Sequence, residues 1–153
     1  MTFFQFEAEF VESLRCVPMQ VRLKLDTCGV KLKLSHWYHF SYEHRQKLTD
    51  LPCDRPPEIK VYREFLLDLI SSDLTSHQEL LIQVEPIWEE SDRIPIEVCQ
   101  QAQSLDVSIS LDQWVGLSNL QRFALIKLSR SHHENQNFLP ALIEFEIVEG
   151  TRI

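Results

Sequence analysis

One block of this chain occurs twice. VKLKLSHWYHFSYEHRQKL, residues 30–48, aligns without a gap on VSISLDQWVGLSNLQRFAL, residues 107–125, at a constant offset of 77. Val30 falls on Val107, Leu34 on Leu111, Trp37 on Trp114, Ser41 on Ser118, Arg45 on Arg122 and Leu48 on Leu125. The match extends upstream through Pro18 on Pro95 and Val21 on Val98, and downstream to Leu51 on Leu128. An ungapped match with a shared Trp and Arg reads as a tandem duplication: repeat one at about 17–70, a linker at 71–93 and repeat two at about 94–147. A unit of some 54 residues buries too little surface to stand alone. The expectation is therefore a single domain over 1–153, mainly α, with two three-helix repeats packed about a pseudo-twofold axis.

Local signals give the helices. Pro18 and Pro95 suit the first turn of a helix, where a missing N–H costs nothing. In the first copy that helix aligns Val21, Leu25 and Cys28 on one side, and Gly29 is its C-terminal stop. VKLKL and VSISL alternate briefly and predict an extended link. Ser35 and Asp112 are expected to cap a short helical turn carrying the tryptophan. Ser41 and Ser118 are expected to cap the next helix, with Gln121 at capping-box spacing from Ser118. EIKVYREFLLDLI and NFLPALIEFEI then predict a last helix in each copy, Asn137 capping the second. At the same offset Tyr62 meets Leu139, Phe65 meets Leu142, Leu66 meets Ile143 and Ile70 meets Ile147. TFFQFEAEFVESL alternates like a strand at Phe4, Phe6, Ala8 and Phe10 and is also spaced like a helix, which is the preferred reading.

Composition narrows the function. Three glycines are too few for a turn-rich sandwich, a P-loop or a dinucleotide fingerprint. A net charge of −8 argues against holding nucleic-acid phosphates and suits a basic protein partner. Cys16, Cys28, Cys53 and Cys99 form no C-x-x-C pair, and the start has no basic region followed by an apolar run. No apolar stretch is long enough for a bilayer. Reduced thiols in a cytoplasmic protein, away from membranes, are the expectation.

Few residues qualify for chemistry. His36, His39 and His44 lie close together, and His36 with His39 has the spacing of a shared metal. The second copy has Gln113, Gly116 and Gln121 there, so the preferred reading is exposed helix residues and no metal. Trp37 and Trp114 are read as core plugs, with Arg45 and Arg122 covering the rings or bonding a helix end. SRSHHENQN, residues 129–137, has no counterpart in the first copy. It gathers Arg130, His132, His133, Glu134, Asn135 and Asn137 before a helix start and is the candidate partner contact; a plain solvated loop is the competing reading. His133-Glu134 opens like a zinc-protease H-E-x-x-H run, but Asn137 stands where the second ligand is needed and Pro140 follows. No catalytic residue and no cofactor is assigned, although a Cys–His pair brought together by folding stays open.

FQFEAEF, CVPMQVRLKLDTCGVKLKLSHW and WVGLSNLQRFALIKLSRSHHENQNFLPALIEF together resemble the nitrate reductase-associated protein family of cyanobacteria and some other bacteria, from Phe4 to about Glu146. The family's motifs fall on Arg22, Lys24, Asp26, Gln121, Arg122, Lys127, His133, Glu134 and Asn137. The resemblance implies a non-enzymatic accessory or maturation factor for a cytoplasmic, ferredoxin-dependent, molybdopterin-containing nitrate reductase. Its partner is then the reductase or its cofactor-delivery protein. The alternative is a small-ligand or metal protein, even an enzyme, using the 129–137 loop on molybdate, nitrate or a pterin phosphate.

Overall fold

Pro18 is extended (φ −64°, ψ 154°) directly before α2 (Met19–Cys28), so it is the N-cap and not a first-turn residue. Its ring cannot cap, and a distant carboxylate does so instead: Glu7 Oε1, buried, accepts the Met19 N–H at 2.9 Å. A negative group at the positive end of the helix adds to that bond. At the other end Gly29 takes the left-handed conformation (φ 75°), and the Gly29 and Val30 N–H groups both reach the Leu25 carbonyl. That is the expected stop, and it needs a residue free of a Cβ penalty.

The computed structural model describes residues 3–11, 14–71, 86–130 and 135–148, and it is mainly helical, with no strand among them. Two compact units divide the chain, one of residues 1–3 and 7–85, the other of residues 4–6 and 86–153.

The first unit continues from α1 (Ala8–Val11) and α2 into α3 (Leu34–His39), α4 (Tyr42–Asp50) and α5 (Pro56–Ser71). The tryptophan-bearing turn is thus a helix of its own and starts earlier than expected, with Lys33 and not Ser35 at the N-cap. Ser41 caps α4 as its residue type predicts, its Oγ accepting the His44 N–H at 3.1 Å. Lys24 closes the other end of α4: Nζ donates to the Thr49 and Leu51 carbonyls, both at 2.6 Å. A cation on the last carbonyls of a helix is favourable for the same dipole reason. On α5, Tyr62, Leu66 and Ile70 recur every four residues and are buried, and Tyr62 Oη donates to the Leu48 carbonyl at 2.7 Å. They join Leu14, Val21, Leu25, Val30, Trp37, Phe40 and Leu48 in one core.

The second unit runs through a 3-10 turn (Ile87–Glu89), α6 (Ile96–Ser104), α7 (Leu111–Val115), α8 (Asn119–Arg130), a 3-10 turn (Asn135–Asn137) and α9 (Phe138–Glu144). Pro95, like Pro18, is an N-cap. Ser110, not Asp112, caps α7, and a capping box with Gln113 holds it: Ser110 N–H to Gln113 Oε1 at 2.9 Å, Gln113 N–H to Ser110 Oγ at 3.1 Å. Ser118 and Gln121 form the expected box at α8, with the same two distances.

Three expectations are corrected here. The end of the supposed linker belongs to the second unit's interior: Trp88 is buried and stands edge-on to Phe123, centroids 5.3 Å apart. The last helices do not align at 77. Tyr62 is fully buried whereas Leu139 is 36% exposed, and an offset of 76 instead pairs buried Tyr62 with Phe138 and Leu66 with Leu142. Asn137 sits at the N-cap of α9 but its side chain makes no capping bond. The N-terminal segment is helical over Ala8–Val11, while Phe4 and Phe6 stack on each other and meet the Phe145 ring of the second unit.

Candidate partner-contact surface

The two Arg–Trp sets are interior fixtures. Trp37 and Trp114 are fully buried, and each indole N–H finds a backbone carbonyl, Leu14 at 2.9 Å and Glu90 at 3.2 Å respectively. A buried indole needs such a partner to avoid an unpaired donor. Arg45 donates to the carbonyls of Trp37, Tyr38 and Leu14, and its guanidinium lies 5.8 Å from the Trp37 ring centroid. Arg122 donates to the carbonyls of Trp88, Trp114, Val115 and Leu117 and to Asn119 Oδ1. Burial lowers the Arg122 pKa from its ordinary value. Both side chains spend their planar donor forks on backbone, which ties each tryptophan helix to its neighbours.

The histidines separate. His39 and His44 are exposed as expected, but His36 is buried. Its Nδ1 accepts the Lys33 N–H at 3.2 Å, reaching back to the helix start as Gln113 does at the equivalent position of α7. Lys33 has no acceptor to offer, so here the imidazole supplies that side of the cap. Among the described residues no group of three His, Cys, Asp or Glu is arranged to hold a metal ion.

The most perturbed titratable cluster, Lys24, Cys28, Cys53 and Tyr62, also faces inward. Burial pushes the Cys28 thiol up to about 11 and the Cys53 thiol to about 12, raises Tyr62 and lowers Lys24. Thiols in that state are poor nucleophiles. Cys28 Sγ lies 3.5 Å from the Leu25 carbonyl and Cys53 Sγ 3.7 Å from the Lys24 carbonyl.

Of the polar loop, Arg130, Asn135 and Asn137 are described, while His132, His133 and Glu134 lie outside the described residues. Arg130 ends α8 and reaches Glu97 on α6 at 3.2 Å, an exposed pair. That brings it to the first turn of α6, where Ile96 is 69% exposed. A shallow groove beside Ile96 is lined by Ile87, Glu90, Arg93, Ile94 and Pro95, with Arg93 3.4 Å from Glu90. Protein interfaces commonly combine an apolar centre with a polar rim. Sequence reasoning chose Arg130 and missed Ile96, whose counterpart Met19 is buried. No local signal separates the two, because cover from elsewhere in the chain decides it.

No helix among the described residues is long and apolar enough to cross a membrane. Residues 3–145 match the family model described as conserved nitrate reductase-associated protein. No curated protein and no solved structure shows a significant match to the chain.

Proposed function

The chain belongs to the nitrate reductase-associated protein family, and from that premise we propose that it is a non-enzymatic accessory or maturation factor required for assimilatory nitrate reductase activity. It acts by protein–protein contact in the cytoplasm. The partner is a cyanobacterial-type, ferredoxin-dependent, molybdopterin-containing reductase or the protein that delivers its cofactor. Family membership carries this reading. The surface around Ile96 supports it, being apolar, exposed and edged by Arg130–Glu97 and Arg93–Glu90. The perturbed side chains lend support because Cys28, Cys53 and Tyr62 are buried and the half-buried Lys24 spends its ammonium on the Thr49 and Leu51 carbonyls.

Deleting the gene and measuring reductase protein, molybdenum content and activity together tests the function. Normal reductase with full activity in the deletion strain refutes it. Low molybdenum places the step at cofactor insertion, and normal molybdenum with low activity places it later. The surface is tested separately: Ile96→Glu and Arg130→Glu in the intact chain are expected to lose reductase in low-salt pull-downs while keeping the helical circular-dichroism signal. Undiminished recovery by both variants removes this surface from the proposal.

We also infer that the two units derive from one duplicated helical plan. Several positions 77 apart support it: left-handed Gly29 and Asp106, the Val30 and Val107 N–H groups on the Leu25 and Ala102 carbonyls, and Arg45 and Arg122 on the Trp37 and Trp114 carbonyls.

A further inference from the structure

Each tryptophan helix buries one side and leaves a pair of apolar residues outside. On α3 the pair is Leu34 (53% exposed) and Tyr38 (56%), and on α7 it is Leu111 (47%) and Val115 (52%). The members of each pair stand four residues apart, hence side by side on one helix face. Tyr42, at the start of α4, is also 52% exposed. Among the described residues these side chains stay about half exposed, although two apolar side chains side by side gain from leaving water.

The charges around the two faces are opposite. Lys31 and Lys33 are exposed just before Leu34, and residues 27–42 contain no Asp or Glu. Asp112 is exposed next to Leu111 and Asp106 is exposed five residues upstream, and residues 94–121 contain no Lys or Arg. The asymmetry extends to the whole chain. Residues 1–71 hold ten Lys and Arg against ten Asp and Glu, and residues 72–153 hold five against thirteen, which is the entire net charge of −8. Opposite charge on equivalently built apolar faces disfavours like-on-like pairing and favours α3 against α7.

We propose that the chain self-associates head to tail, the Leu34–Tyr38 face of one copy seating on the Leu111–Val115 face of a second copy, with Lys31 and Lys33 opposite Asp106 and Asp112. Two helices this short bury an area below the ~1,200 Å² of a standard stable interface, so the association is weak. The surface is distinct from the one around Ile96 and Arg130. The contact joins different patches, so each copy keeps one face of each kind to offer.

Sedimentation of the full chain at low salt, from about 10 µM to about 1 mM, covers the range of an interface this small. The weight-average mass is expected to rise with concentration, and to rise several-fold less at about 0.5 M salt, where the charges are screened. Leu34→Glu and Leu111→Glu each place a charge on an already exposed site and are each expected to stay monomeric. Their equimolar mixture is expected to form a one-to-one pair and nothing larger, because one intact α3 face and one intact α7 face remain. A wild-type chain monomeric throughout overturns the proposal. So does a Leu34→Glu chain that associates like wild type, or a mixture that stays monomeric while the wild type associates.

Discussion

Helices α4 and α8 begin with the same serine cap and carry the same Arg and Leu, yet one is a surface helix and the other is enclosed. On α4 only Leu48 and Thr49 are buried, and Lys47 faces water. On α8 Phe123, Ala124, Leu125, Ile126 and Leu128 are all at or near zero exposure, along with Arg122. Ala124 stands where α4 has Lys47. The extra cover on α8 includes Trp88, edge-on to Phe123 and lending its carbonyl to Arg122 at 2.6 Å. A helix buried on all sides is apolar all round, and one covered on a single side is not. What the two share is therefore the local frame of caps and Arg–carbonyl bonds, and what differs is how much of the chain wraps it.

That contrast sets the size of substitution effects. Ala124→Lys forces a cation into a packed interior and is expected to destabilise by about 3 kcal/mol or more, whereas Lys47→Ala stays within about 0.5 kcal/mol. Urea titration of both variants checks it, and equal costs would break the comparison. Next come the two arginines. Arg122→Ala removes a donor from five acceptors, of which the Trp114 carbonyl keeps the Leu117 N–H, and is expected to cost about 3–4 kcal/mol. Arg45→Ala, half-buried with water able to replace the guanidinium, is expected to cost about 1–2 kcal/mol. A larger loss for Arg45 would mean that the enclosure of α8 does not govern the energetics.

The units also differ towards alkali. Burial pushes the folded Cys28 and Cys53 thiols up to about 11 and about 12, above the ordinary thiol value near 9, so between those limits the unfolded chain releases protons the folded one keeps. Stability contributed by the buried thiols is complete below about pH 9 and is lost as pH rises from there through about 11 for Cys28 and about 12 for Cys53. Tyr62 acts in the same direction, whereas lowered Lys24 opposes it. In the second unit Cys99 is exposed. The urea midpoint, followed by fluorescence from pH 8 to 11, is expected to drop, and less in a Cys28→Ala, Cys53→Ala variant. An equal drop in that variant would locate the alkaline weakness elsewhere. The smallest effect concerns His36. His36→Gln is expected to lie within about 0.5 kcal/mol of wild type and His36→Ala to cost about 1 kcal/mol, since Gln113 makes the corresponding bond. Similar losses for both would show that the imidazole does something the amide cannot.

How much was legible follows from range. Gly29, Ser41 and the Ser118–Gln121 box act within five residues of themselves, and their residue types announce them. Ser35 and Asp112 misled because Lys33 and Ser110 start their helices earlier, leaving Leu34 and Leu111 helical yet exposed. The burial of Trp88, the exposure of Ile96 and the one-residue slip that buries Phe138 in place of Leu139 depend on segments far away in sequence, and no short pattern encodes them. The candidate surface was half visible for that reason: Arg130 stood out by polarity, and Ile96 needed the fold.

The Phe6 N–H rests on Glu144 Oε1 at 3.1 Å, 138 residues later, and the Phe4 ring meets Phe145 at 5.0 Å. During synthesis, which proceeds from the N-terminus, the helices of the first unit emerge and close while this aromatic clasp has nothing to grip. Phe4 and Phe6 must wait for the Glu144–Phe145 segment to leave the ribosome before they are shielded. A nascent chain held a few residues short of Glu144 would thus display Phe4 and Phe6 to any chaperone within reach.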